Sequence, residues 1–162
     1  MKARAVAFSL ILGVCVTALA TPKVRWVAYK SNRLNLQVSV PSDWEPVQVP
    51  KMLAFRYDDL AGGTAGVGIL KSSQIGNIDE AADKELKTEG HPADWARSSA
   101  TVGGMRAIKI TGSDGKDSSK RFVHYYVETS SGVYIVQCQG SADRWNTFRP
   151  VFATILKKLT FL

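Results

Sequence analysis

Leu34-Asn35-Leu36-Gln37-Val38-Ser39-Val40-Pro41-Ser42-Asp43-Trp44 is the stretch from which the architecture can be read. From Leu34 to Val40 apolar and polar residues alternate. Successive side chains of a strand point to opposite faces, so Leu34, Leu36, Val38 and Val40 form one apolar face. Pro41 removes a ladder donor and Ser42-Asp43 favour a turn, so the strand is expected to stop at Val40. Trp44 falls in that turn, where a tryptophan could anchor a partner, and it is the candidate partner contact.

Working outward, Trp26 to Tyr29 reads as a short strand before this one. After it come Leu53–Tyr57 and Ala65–Leu70, joined by the turn-rich Asp58-Asp59-Leu60-Ala61-Gly62-Gly63 as a hairpin. Gly66 and Gly68 within the second run predict a bulge or a close backbone approach. A helix is expected after Gly76. Asn77 can cap it with Glu80 three residues on, and Asp79, Glu80 and Asp83 lie where the helix dipole favours negative charge. Ile78, Ala81, Ala82 and Leu86 form its apolar stripe, Lys84, Glu85 and Lys87 lie mostly outside, and Gly90 with Pro92 ends it.

Four extended segments follow, Trp95–Val102, Met105–Thr111, Arg121–Glu128 and Val133–Gln139. The links Gly103-Gly104 and Ser130-Ser131-Gly132 are tight and Ser113 to Asp117 is longer, so neighbours run antiparallel. The pair around Tyr125 and Ile135 is apolar on both faces and is expected at the centre of the sheet. From Ser141 the spacing of Trp145, Phe148, Val151, Phe152, Ile155 and Leu156 is helical. Pro150 predicts a break, with a short turn to Phe148 and a restart that places the proline in a first turn.

Residues 1–20 have the three parts of an export signal: Lys2 and Arg4, the apolar run Ala5 to Val16, and small residues Ala18 and Ala20. Cleavage is expected between Ala20 and Thr21. The apolar run is shorter than the roughly 20 residues that a spanning helix needs, which disfavours a retained anchor. Lipid attachment at Cys15 is the competing reading, disfavoured by Val14 and by the apolar residues that follow. The remaining 21–162 is expected to form one domain outside the cytoplasm, periplasmic or secreted. Cys138 is then its only cysteine, expected as a small buried side chain.

Loss of Lys2 and Arg4 lowers the formal charge from +7 to +5. The basic residues are scattered (Lys23, Arg33, Lys51, Arg121 and Lys157 among them) and form no run, which argues against a nucleic-acid tail. Weak attraction to anionic surfaces is what such a charge allows. Chemistry is equally unmarked. His91 and His124 lie far apart in sequence, no Gly-x-Ser-x-Gly elbow occurs, and no zinc-ligand spacing is present. Asp58-Asp59 and Asp114/Asp117 lack the periodicity of a calcium loop and read as turn acids. Gly62 to Gly68 lacks the Lys-Ser/Thr ending of a phosphate loop and reads as a hairpin. No catalytic, metal or cofactor motif is assigned.

In the order of its elements the chain resembles the PsbP-like superfamily, which includes the photosystem II subunit of that name, a small Ran-binding import factor and bacterial exported proteins of the DcrB type. The resemblance rests on the strand closing on Val40-Pro41-Ser42-Asp43-Trp44 and the helix near Ile78 to Glu89. It continues in Val102-Gly103-Gly104 leading into Met105-Arg106-Ala107-Ile108, and in Phe148 to Leu156 followed by Leu159-Thr160-Phe161. It implies an α+β fold, a central antiparallel sheet flanked by helices on both faces in a three-layer α/β/α sandwich. It also implies a non-catalytic binding or assembly-accessory role, expected here as contact with an envelope or extracellular protein. Alternatives are a small-ligand or lipid carrier using a cleft between sheet and helix, and an enzyme built on His124 with Tyr126 or Glu128.

Overall fold

A computed structural model describes residues 24–87 and 94–162. The expected export signal with Cys15, its cleavage point at Ala20 and Thr21, His91, and the helix end at Gly90 and Pro92 lie outside the described residues.

Among the described residues, ten strands form two antiparallel sheets. The smaller is ordered β1 (Trp26–Ser31), β2 (Leu36–Pro41), β10 (Thr160–Phe161). The larger is ordered β3 (Glu45–Val49), β4 (Met52–Asp58), β5 (Thr64–Ser72), β9 (Gly132–Ser141), β8 (Lys120–Thr129), β7 (Met105–Ser113), β6 (Ala96–Val102). Helix α1 (Ile78–Leu86) carries the chain from β5 to the far edge at β6, and α2 (Trp145–Lys157) carries it from β9 to β10.

Period-two patterning dictates which residues meet. Leu34, Leu36, Val38 and Val40 are all buried, as the alternation requires. They join α2 residues Phe148, Phe152, Ile155 and Leu156 and the inner-facing Val123, Val127, Tyr134, Val136 and Cys138 in the main core. The opposite parity of the same strands, Phe122, Tyr126 and Val133, packs with Ile78 and Ala82 of α1 in a second core on the outer face. β8 and β9 are thus apolar on both faces and central, as expected of the Tyr125 and Ile135 pair. Each face of the large sheet carries one helix, and the inner face also carries the small sheet. Strands outweigh helices, so the layers over the sheet are not the full helical layers of a three-layer sandwich.

Several local expectations change. β2 begins after a turn at Asn35, whose φ is 52°, and runs through Pro41, which pairs with Trp26. Pro41 sits at the strand end, where a lost donor disturbs the ladder least. Trp44 is 4% exposed, stacked on Tyr57 and edge-on to Phe152, so core packing claims the ring expected to meet a partner. β5 holds unbroken register on both sides, without a bulge; instead the Met52 thioether lies where a side chain on Gly68 would be. α2 runs through Pro150 without a break. The proline is the sixth residue, so one helical bond is lost, while the buried stripe of Phe148, Phe152, Ile155 and Leu156 continues on both sides of it. β3 and β10 have no sequence counterpart above, because β3 is exposed at every position and β10 has two residues.

The Gly103-Gly104 turn between β6 and β7 needs glycine for two separable reasons. Both residues have positive φ, 55° and 80°, which L side chains resist. A Cβ on Gly103 would also lie 2.4 Å from the Leu159 carbonyl oxygen, whereas one on Gly104 meets nothing within 4 Å. Gly104→Ala is therefore expected to cost about 1 kcal/mol through its backbone alone. Gly103→Ala should cost about 2–3 kcal/mol, because the backbone near Leu159 must also shift. Urea unfolding of the two variants measures the difference, and equal losses would contradict this account of the turn.

Candidate functional site

α2 covers the inner face over β9 and β8 but leaves Lys109 and Thr111 on the inner side of β7 open, which makes a groove between helix and sheet. Trp145, Arg149, Ala153 and Lys157, spaced by fours, lie along one ridge of the helix and form one wall. The sheet contributes Lys109 and Thr111 from β7 and Val123 and Tyr125 from β8, with Lys109 directly opposite Tyr125 and Thr111 opposite Val123. The N-terminal half of the groove encloses about 720 Å³ and the C-terminal half about 380 Å³. Lys109, Tyr125 and Ala153 line both halves, so the groove is continuous.

Its electrostatics are one-sided. Lys109, Arg149 and Lys157 have no carboxylate partner among the described residues. At one end Asp94 lies 3.7 Å from Arg121, and its hydrogen bonds from Ser113, then Arg121, hold its carboxyl below the usual range. The Tyr125 hydroxyl makes no hydrogen bond among the described residues, and burial pushes its pKa up to about 12. Tyr125 is therefore a neutral donor at physiological pH. Cys138 beneath the floor is fully buried, and burial pushes its thiol up, so it is a packing residue and not a nucleophile.

A second polar cluster lies on the outer face. Glu85 of α1 accepts from the Tyr126 hydroxyl at 2.7 Å and meets His124 Nδ1 at 2.6 Å. Burial, then the Glu85 carboxylate, raises the Tyr126 pKa, so its proton stays on oxygen. Sequence reasoning placed His124 and Tyr126 together but left Glu85 outside. Counting i, i+4 and i+7 from Ile78 through Ala82 to Glu85 would have put it on the sheet-facing side. Glu128 does not join them and pairs instead with Arg106 at 2.8 Å.

The acids of α1 fasten it to the far edge of the sheet: Asp79 bridges Arg97 and Arg106, and Asp83 pairs with Arg97 at 3.4 Å. The other singled-out acids close their own turns. Asp59 accepts from the amides of Ala61 and Gly63 and pairs with Arg144 at 3.1 Å; Asp117 accepts from Ser119 and pairs with Lys120 at 3.1 Å. No group of three or more potential metal ligands occurs among the described residues, and no described helix is long and apolar enough to cross a membrane.

The fold as a whole is similar to that of several solved structures. Cyanobacterial PsbP from Synechocystis matches with a TM-score of 0.58 at 16% identity, over 93% of this chain and 99% of its own. The chain has a PsbP-like fold. LpqN, described as involved in cell envelope biogenesis of Mycobacterium tuberculosis, matches at 0.55 and 17% identity over 85% and 90%. The Saccharomyces cerevisiae Ran-binding protein Mog1p matches at 0.53 and 10% identity over 86% and 96%. Compared by sequence, the chain matches no family model and no curated relative.

The Asp79 bridges carry a signed pH dependence. The hydrogen bond from Arg106 leads in lowering its pKa below the ordinary 3.8, with the charges of Arg106 and Arg97 adding to it. A depressed folded-state pKa contributes stability above the unfolded value that is lost as pH falls through the folded one. Asp79→Asn should therefore flatten the acid limb of the stability curve as pH falls through and below the ordinary carboxylate range. Chemical unfolding across that range tests it; an unchanged slope would remove Asp79 from the acid sensitivity.

Proposed function

We propose that this chain is an exported, non-catalytic binding or accessory domain that works by protein–protein contact in the cell envelope, after removal of residues 1–20. The observation that carries this reading is the groove beside α2, where three unpaired cations lie along an aromatic and aliphatic floor. Tryptophan, tyrosine and arginine concentrate binding energy at protein interfaces, and Trp145, Tyr125 and Arg149 are all present here. The fold neighbours support it by analogy, Mog1p being Ran-binding and LpqN being involved in cell envelope biogenesis. Trp44 takes no part, since its ring belongs to the core.

Small-ligand carriage is the second reading, favoured by the volume of about 720 Å³, which lies within the ~300–1,000 Å³ of small-molecule clefts. The two are separated by placing a photocrosslinking residue at the exposed Ala153 of the full-length protein in its native host. One identified protein should be captured reproducibly, and its capture should fall severalfold on Arg149→Glu. Equal capture of the same proteins from position Lys30 in the small sheet would sink the groove as the contact. A stoichiometric small molecule on the purified protein by native mass spectrometry, with no specific protein captured, would establish the carrier instead.

A further inference from the structure

We infer that the groove beside α2 takes an extended, acidic segment of a partner protein, with carboxylates on alternate residues. This rests on the protein-contact reading above and adds the chemistry of the partner. The distribution of charge decides it. Arg149 and Lys157 are eight residues apart on one helix, a rise of about 12 Å, and Lys109 faces them from the sheet. A ligand with one anionic head would need its cations gathered at one end of the groove. These run along it on both banks.

An extended chain advances about 3.3 Å per residue, so side chains four residues apart on one face are about 13 Å apart. That matches the separation of the two helix cations. Residues of the other parity would then turn toward the floor at Val123, Tyr125 and Phe152. The Tyr125 hydroxyl remains as a neutral donor at the middle of the path, where the two halves of the groove meet.

Two further surfaces fit less well. The outer trough over Gly66, Gly68 and Ala54 is bordered by Val47, Gln137 and Gln139, and nothing there identifies an occupant. The Glu85, His124 and Tyr126 cluster is internally paired and holds α1 to the sheet.

The test uses the full-length chain and a fluorescein-labelled twelve-residue peptide alternating Glu with Ala or Leu, read by fluorescence anisotropy. Its counterpart with Gln for every Glu should bind about tenfold more weakly or not at all. Lys109→Gln with Arg149→Gln should weaken the acidic peptide by about tenfold, and Lys30→Gln with Lys51→Gln by less than about twofold. Lys157→Gln, an exposed change at the helix end, replaces the double variant if that variant fails to fold. Equal binding of the Gln peptide, or equal losses from both pairs of substitutions, overturns the inference. So does preferential binding to phosphatidylglycerol vesicles through the same residues, which would assign the cations to a membrane surface. If no peptide binds while Ala153 still captures one protein in the host, the acidic segment is wrong and the protein-contact reading stands. If capture fails as well, both fall.

Discussion

A sheet of seven strands has two faces to keep from water, and among the described residues a nine-residue helix, a thirteen-residue helix and a three-stranded sheet cover them. The covers divide the faces: α2 and the small sheet close the inner face around the main core, and α1 closes the outer face over β7 and β8. The small sheet is held down from within. Tyr134 at the centre of the large sheet is wholly buried, and its hydroxyl donates to the Leu34 carbonyl at 2.7 Å in the turn before β2. A buried carbonyl left without a donor costs about 1–3 kcal/mol, so this bond also fixes how the two sheets meet. The end of the chain is tied to the same turn, where the Leu162 amide donates to the Asn35 carbonyl at 2.9 Å and the Asn35 side-chain amide donates to the Leu162 carbonyl.

The groove follows from that economy of cover. Where α2 stops short of β7, the sheet turns from apolar core to Lys109 and Thr111, and the helix ridge facing them carries Arg149 and Lys157. The cations on the outer face have a different fate. Arg97 and Arg106 lie against the acidic first turns of α1 and are neutralised there. Arg97 and Arg106 thus help to hold the fold together, while Lys109, Arg149 and Lys157 face an open channel. A formal charge of the whole chain does not distinguish these two populations, and their spatial separation does.

Where the pattern was local, it was legible. The alternation at Leu34 to Val40 and the Asn77 cap, whose side chain accepts from the amides of Asp79 and Glu80, were readable from neighbouring residues. The Gly103-Gly104 turn was readable in the same way. β3 was not, because its strand state comes from pairing with β4 while all five residues remain exposed. Trp44 looked like a turn aromatic until Tyr57 and Phe152 arrived from distant segments to enclose it. The groove was invisible for the same reason. Lys109, Tyr125, Arg149 and Lys157 span nearly fifty residues of sequence and form no run, and only the crossing of α2 over the sheet places them on one channel.

Pro150 shows where α2 can bear a gap in its ladder. Without an N–H, Pro150 donates no helical bond to the Asn146 carbonyl four residues earlier. Inside a core such an oxygen would be a defect. Asn146 and Pro150 are both exposed and border the groove, so the gap in the helical ladder falls at the surface, where water can fill it, and the buried face of α2 is left intact.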